Sequence, residues 1–145
     1  DVLSQMAYNY WDRIGDLIAS FFPDKLDPKD VYFVTALNRV PNEFRSNENY
    51  TWLKAFEENG YQELNRKRKQ VVHYTTSNTD FMFEHLQSTH DKDAIQKNQA
   101  ARNGISDFYN HHISLTLEGY EKTLLFLSEV STKLFPDGNS NSAFI

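Results

Sequence analysis

Apolar residues recur at intervals of three and four over residues 2–22, and this spacing predicts an amphipathic first helix. Pro23 is expected to end it, because proline cannot continue the hydrogen-bond pattern of a helix. The apolar stripe consists of Leu3, Ala7, Tyr10, Ile14, Leu17 and Phe21, and it is widened by Trp11, Ile18 and Phe22.

The next part of the chain predicts two further helices. Asp27 is a suitable N-cap and Pro28 a suitable first helical residue, so the second helix is expected from Pro28 to about Arg39. The third helix is expected over about residues 49–60, with Gly60 at its C-terminal end. Its buried residues are expected to be Trp52, Leu53 and Phe56.

A fourth helix is predicted from about Tyr61 to Tyr74. It is followed by a cluster of turn-forming residues, TTSNTD, at 75–80 and by a short helical segment at 80–89.

The C-terminal part of the chain has the pattern of one long helix over residues 93–135, which the Arg-Asn-Gly sequence at 102–104 is expected to kink or break. We predict one all-α helical bundle over residues 1–135 and a disordered tail over 136–145. The apolar stripe of the long helix consists of Ile105, Phe108, His112, Leu115, Gly119, Phe126 and Val130.

Composition narrows the function classes. The net charge of −5 argues against a protein that coats nucleic acid non-specifically, although it leaves room for a local phosphate site. The chain has no cysteine, which excludes disulfide frameworks and thiolate metal sites. It also has no apolar run of about 18 residues, so we expect no membrane span and a cytoplasmic location.

The fourth predicted helix concentrates positive charge. Four consecutive cations, Arg66 to Lys69, precede His73. On a straight helix Arg66, Lys69 and His73 share a face, whereas Arg68 and His73 diverge by about 140°. Arginine can bind phosphate oxygens and histidine can transfer a proton near neutral pH, so such a set suits cleavage of RNA by its own 2′-OH. The alternative is a solvated helix face.

The sequence RKQVVH, Arg68 to His73, resembles the R-x4–6-H motif of the HEPN superfamily, whose members are compact all-α bundles. The aromatic first helix and the long C-terminal helix agree with this resemblance in outline. It implies a metal-independent endoribonuclease without a cofactor, of the kind found in toxin–antitoxin and defence systems, or a relative that binds RNA or nucleotides without cleaving them. Lys69 stands where the family often has Asn.

The resemblance also implies roles for individual residues. Arg68 and His73 would be the catalytic pair, and Asp12, rather than Asp16, would support them from the first helix. Arg66, Lys69 and Tyr74 would bind phosphate or RNA. Family members usually form homodimers in which two motifs face one cleft, and a protein partner such as an antitoxin is also expected.

Two other classes are weighed against this one. The chain could be a non-catalytic interaction or regulatory module. It could also be a metal-dependent hydrolase in which His73, His112 and Glu84 converge, but no Glu-x-x-His pair is present, so we expect no metal. His112 lies on the apolar stripe and is expected to be a hydrogen-bonded core residue or a pocket residue.

Overall fold

The computed structural model describes residues 2–25, 27–73 and 92–136, and over these residues the chain forms helices and turns without any strand. This confirms the all-α prediction and the long C-terminal helix. Residues 74–91 and 137–145, which contain the predicted segment at 80–89 and nearly all of the predicted tail, lie outside the described residues. Within the described residues the α-helices are α1 (Val2–Ser20), α2 (Phe33–Arg39), α3 (Glu48–Phe56), α4 (Gln62–His73) and α5 (Lys92–Leu134).

The buried face of α1 is rotated from the predicted stripe. Leu3 is 54% exposed and Leu17 is 36% exposed, although both belong to that stripe. Gly15 is buried instead, and a Cβ atom there would lie 2.6 Å from the backbone nitrogen of Phe33. The close approach of α2 at this glycine therefore fixes which side of α1 is covered. The buried residues are Ser4, Trp11, Ile14, Gly15, Ile18 and Ala19.

The second helix begins later than predicted. Asp27 does accept a hydrogen bond from the backbone nitrogen of Lys29 at 3.0 Å, but it caps only a short 3-10 turn over Pro28–Asp30. The backbone is then extended at Val31 and Tyr32. The Thr35 hydroxyl accepts from the Tyr32 backbone nitrogen and so fixes a new start for α2.

Gly60 does not end α3, contrary to the prediction. One π-helical turn, Glu57–Tyr61, connects α3 directly to α4, and no glycine of the described residues has a positive φ. Gly60 is needed for space, because a Cβ atom there would lie 2.5 Å from the Phe56 ring. Leu53 and Phe56 are buried as predicted, and Trp52 is partly buried.

Helix α5 is one element of 43 residues, so the sequence at 102–104 does not divide it. Its buried residues follow the predicted stripe, and Phe126 and Val130 are fully buried. It passes α1 closely at Gly119, where a Cβ atom would lie 2.1 Å from Cη2 of Trp11. Trp11 packs in turn against Phe56, at 4.1 Å between ring centroids, so one indole ring joins three helices. None of the described helices is long and apolar enough to cross a membrane.

Candidate functional site

The cations of α4 are divided between two sides of the helix. Arg68 lies on the side that packs against α1, while Arg66 lines clefts between α4 and α5. The cause is the helical repeat, since a step of two residues turns the side chain by about 200°. Lys69 is exposed. The structure therefore does not bring Arg66 and Arg68 to one phosphate.

Arg68 is half-buried in the interface between α1 and α4. Its Cζ atom lies 4.0 Å from the centroid of the Tyr8 ring, and its Nη2 donates to Oδ1 of Asn65 at 3.3 Å. Its Nε is buried and has no hydrogen-bond partner among the described residues. Among residues 2–25, 27–73 and 92–136, no carboxylate lies within 4.0 Å of this guanidinium. The charge of Arg68 is thus held by an aromatic ring and an amide, without a counterion in that part of the chain.

The Tyr8 ring beneath Arg68 is the first of three side chains that contact one another in turn, Tyr8, Tyr61 and Asp12. Tyr8 stacks on Tyr61, with 5.2 Å between ring centroids, and the Tyr61 hydroxyl donates to Oδ1 of Asp12 at 3.2 Å. Burial raises the pKa of Tyr61 far above its usual value, and the neighbouring Tyr8 and Asp12 raise it further. Tyr61 therefore remains a neutral hydrogen-bond donor to Asp12.

The two aspartates of α1 occupy different surroundings. Asp12 faces α4 through Tyr61, whereas Asp16 accepts from exposed Arg13 at 2.7 Å. Asp12 is accordingly connected to Arg68 only through Tyr61 and Tyr8, and its functional role stays a prediction.

For His73, the second residue of the motif, the structure describes only the backbone. Helix α4 continues to His73. The side chain of His73 lies outside the described residues, as does all of Tyr74. The pairing of His73 with either arginine therefore stays a prediction.

The structure shows a cleft that the sequence did not indicate. It lies between the α3–α4 connection and α5 and has a volume of about 730 Å³. Trp52, Gly60, Arg66, His111 and Leu115 are among the residues that line it. No spacing in the sequence connects these residues, because α5 is far along the chain from α3, α4 and the turn between them.

A second cleft of about 470 Å³ lies between α4 and α5. It shares Glu63 and Arg66 with the first cleft and adds Lys67 and Phe108. The two clefts are therefore parts of one groove between α4 and α5, and Arg66 stands where they meet. We call this the α4–α5 groove.

His112 lies beneath the groove and is 2% exposed. Its Nε2 is 3.5 Å from Oε2 of Glu63, which is within ion-pair range but too long for a good hydrogen bond. Within the described part of the chain neither ring nitrogen has a hydrogen-bond partner, while the ring packs on Phe108 at 4.4 Å between centroids. Burial lowers the pKa of His112, and Glu63 opposes this effect. His112 is thus a core residue, as expected, but it lacks the expected hydrogen bond.

Metal ligation has no support in the described part of the chain. No group of three or more His, Asp or Glu side chains within it is arranged to hold a metal ion. Glu84, His85 and His90 lie outside it, and so does the side chain of His73.

Comparison with known proteins gives one result. The family model described as HEPN_Cthe2314-like HEPN matches residues 1–133, which is nearly the whole chain. This confirms the resemblance inferred from RKQVVH and the helical pattern. No curated protein and no solved structure matches.

Proposed function

The chain belongs to the HEPN_Cthe2314-like HEPN family, and from this premise we propose that it is a metal-independent endoribonuclease. Family membership indicates a nuclease or another RNA-related role. The finer assignment rests on the residues of the motif, Arg68 and His73, and on the surroundings of Arg68.

The observation that carries the proposal is the state of Arg68. A half-buried cation without a counterion is costly to a fold, because burial removes water without replacing its interactions. Here Tyr8 and Asn65 hold the guanidinium in place, but they leave its charge uncompensated among the described residues. A phosphate group of RNA would supply that charge, and arginine binds phosphate oxygens through two parallel hydrogen bonds.

In the proposed reaction His73 accepts the proton of the ribose 2′-OH, and the 2′ oxygen attacks the adjacent phosphorus. The bond from phosphorus to the 5′ oxygen breaks, and that oxygen takes up a proton. The products are a 2′,3′-cyclic phosphate and a 5′-OH end. Arg68 stabilises the negative charge on the non-bridging oxygens in the transition state. Lys69 and Tyr74 are proposed to bind the flanking RNA.

Asp12 is proposed as a positioning residue. It accepts from Tyr61, and Tyr61 stacks on the ring of Tyr8 that lies beneath Arg68. Asp12 would therefore affect the reaction indirectly, by orienting Tyr61 and Tyr8 beneath Arg68.

The test is cleavage of single-stranded RNA in EDTA, followed by analysis of the ends. We expect cyclic phosphate ends, and loss of cleavage in His73→Ala and in Arg68→Gln. Lys25→Gln, which removes an exposed cation elsewhere, is the control and should cleave normally. Cleavage that persists in His73→Ala, or that requires added metal, would contradict the proposal.

A second copy of the chain is the proposed partner, and an exposed apolar surface supports it. Helix α5 presents Ile113, Leu117, Tyr120 and Leu124 on one side, with exposed fractions of 57, 69, 48 and 46%. Met6 of α1 is 62% exposed and lies one turn before Tyr10 on the same face of α1. The pKa of Tyr10 is raised by burial and, to a lesser extent, by Tyr120 of α5. From here on we call these four exposed α5 residues the apolar stripe; they are distinct from the predicted buried side of α5 that contains His112 and Gly119. Because these four side chains carry no charge, the same surface on a second copy can pack against them without charge repulsion, as a twofold interface requires.

This interface would have a consequence for the motif. Tyr8 and Met6 lie about 200° apart around α1, so Arg68 and the apolar stripe are on different sides of that helix. A dimer formed through the stripe would leave the two Arg68 side chains apart. Each copy would then cleave RNA with its own motif rather than in a shared cleft. An antitoxin-like protein bound to the stripe would instead compete with dimer formation.

A further inference from the structure

We infer that the α4–α5 groove binds a free amino acid with a large apolar side chain, in its zwitterionic form. Glu63 would bind the ammonium group, Arg66 would bind the carboxylate, and the side chain would lie against Trp52. This goes beyond RNA cleavage at the motif and does not depend on it, because the groove and Arg68 lie on different sides of α4.

Two opposite charges of α4 face the groove without pairing. Glu63 and Arg66 line both clefts, and they lie one helical turn apart, at about 5–6 Å between Cβ atoms. No nitrogen of Arg66 lies within 4.0 Å of an oxygen of Glu63. Arg66 also has no other hydrogen bond or ion pair with any residue in the described part of the chain. A ligand between them would therefore meet one carboxylate and one guanidinium.

The imidazole beside Glu63 does not neutralise the carboxylate. Nε2 of His112 is 3.5 Å from Oε2 of Glu63, which is too long for a good hydrogen bond. Burial lowers the pKa of His112, so the ring is uncharged near pH 7. Glu63 therefore has no charged partner among the described residues, just as Arg66 has none.

These two charges favour a ligand that carries both signs. An anion bound at Arg66 alone would be repelled by Glu63, and a cation bound at Glu63 alone would be repelled by Arg66. An α-amino acid has its ammonium and carboxylate groups on one carbon atom, so it can bind both side chains at once. An exposed ion pair between Glu63 and Arg66 themselves would contribute little to stability, and the ligand would displace it at little cost.

The first cleft supplies an apolar wall beside the two charges. Trp52 is partly buried and lies parallel to Phe56, with 5.7 Å between ring centroids and 8° between the planes. This contact holds the indole in a fixed orientation where it lines the cleft, and Leu115 lines the cleft from α5. The volume of about 730 Å³ is within the usual range for small-molecule sites. An aromatic or large aliphatic side chain would bury its apolar surface there.

The end of a peptide does not offer the same chemistry. The first residue of a peptide has a free ammonium group, but its carboxyl group is part of an amide, and the last residue has the reverse. Only the free amino acid presents both charges on one carbon atom to Glu63 and Arg66. Derivatives of an amino acid that lack one charge therefore distinguish the two sources.

Isothermal titration calorimetry on the full chain measures the affinities. The probes are L-phenylalanine, N-acetyl-L-phenylalanine, which has no ammonium group, L-phenylalanine amide, which has no carboxylate, and glycine, which has no side chain. Tryptophan fluorescence is a second measurement. The chain has two tryptophans, and Trp11 is fully buried, so a change in emission reports on Trp52.

We expect L-phenylalanine to bind saturably, and about tenfold more tightly than either derivative or glycine, because each of these lacks one charge-assisted hydrogen bond or the apolar contact. Trp52→Ala should weaken the binding of L-phenylalanine more than that of glycine.

The variants of the two charged residues should respond to different derivatives. Glu63→Gln should weaken L-phenylalanine binding by about tenfold but should not weaken binding of the N-acetyl derivative, which has no ammonium group to lose. Arg66→Gln should weaken L-phenylalanine binding by a similar factor but not that of the amide. Glu121→Gln on α5 and Arg39→Gln on α2 remove the same charges from exposed positions outside the groove and are the matched controls.

The inference is overturned if L-phenylalanine shows no saturable binding, or if either derivative binds as tightly as L-phenylalanine. It is also overturned if Glu63→Gln or Arg66→Gln binds L-phenylalanine like the unchanged chain. Arg68→Gln separates this inference from the proposed function, because it should stop RNA cleavage and leave the affinity for L-phenylalanine unchanged.

Discussion

The guanidinium of Arg68 lies over the ring of Tyr8, with 4.0 Å between the Cζ atom and the ring centroid. This contact joins the first residue of the R-x4-H motif to α1, and Tyr8 is itself stacked on Tyr61. The orientation of Arg68 therefore depends on a neighbour 60 residues away in sequence.

Replacing Tyr8 tests this dependence. Tyr8→Leu keeps an apolar contact but removes the aromatic face, so we expect a loss of about 1–2 kcal/mol in the free energy of unfolding and a larger fractional loss of RNA cleavage. Urea denaturation and a cleavage assay measure the two effects. Tyr8→Phe retains the aromatic face and should restore cleavage. Equal cleavage by Tyr8→Leu and Tyr8→Phe would show that the ring does not position Arg68.

Tyr61 predicts a loss of stability at high pH. Its pKa is raised in the folded state, chiefly by burial, while the unfolded chain ionises near pH 10. Above about pH 10 the unfolded state has released a proton that the folded state keeps, so the free energy of unfolding falls by up to about 1.4 kcal/mol per pH unit. Tyr61→Phe should make the free energy of unfolding fall less steeply with pH, because one tyrosine no longer ionises on unfolding. An unchanged slope between pH 10 and 11 would contradict the assignment.

His112 predicts a loss of stability at low pH. Burial lowers its folded-state pKa, so below about pH 6.5 the unfolded chain binds a proton that the folded chain does not. This contribution to stability is present above that pH and is lost as the pH falls. His112→Leu should flatten the profile between pH 5 and 7, as measured by thermal denaturation. Glu63→Gln removes the carboxylate that opposes the shift and should steepen the profile.

Two glycines of α5 provide a matched pair. Gly119→Ala would place a Cβ atom 2.1 Å from Cη2 of Trp11, so we expect destabilisation by about 1–3 kcal/mol or more. Gly104→Ala meets no heavy atom within 4 Å and should stabilise the same helix by about 0.5–1 kcal/mol. Chemical denaturation of the two variants measures both values. If Gly119→Ala changed the free energy of unfolding in the same direction and by the same amount as Gly104→Ala, α5 would not contact Trp11 as described.

Leu117→Glu tests the apolar stripe. A charge at this position should convert a dimer to a monomer, as measured by light scattering after size exclusion. Leu125→Glu is the matched control, because Leu125 is 50% exposed on α5 but lies about 80° away from Leu117 around the helix. Retained cleavage by the monomeric variant is expected if each copy uses its own motif. A monomeric unchanged chain, or a dimer that survives Leu117→Glu, would reject the stripe as the interface.

Local patterns in the sequence were sufficient for much of the architecture. The stripe of α5 through His112, Gly119 and Phe126 predicted its buried side, because a long helix on a single core keeps one period. The predicted start of α2 was wrong because the Thr35 hydroxyl caps the helix at Tyr32, although the sequence favoured an N-cap at Asp27. The predicted end of α3 was wrong because Gly60 leaves room for the Phe56 ring and does not form a turn that ends the helix.

The sequence by itself determined that the chain is all-α, that it resembles HEPN proteins and that Arg68 and His73 form the motif to examine. These properties depend on helical periodicity and on residues close together along the chain. Only the tertiary structure decided that Arg68 faces Tyr8 and that Arg66, Trp52 and His111 line one cleft. Neighbouring cations on one helix point to different partners, and the identity of each partner depends on how distant helices pack.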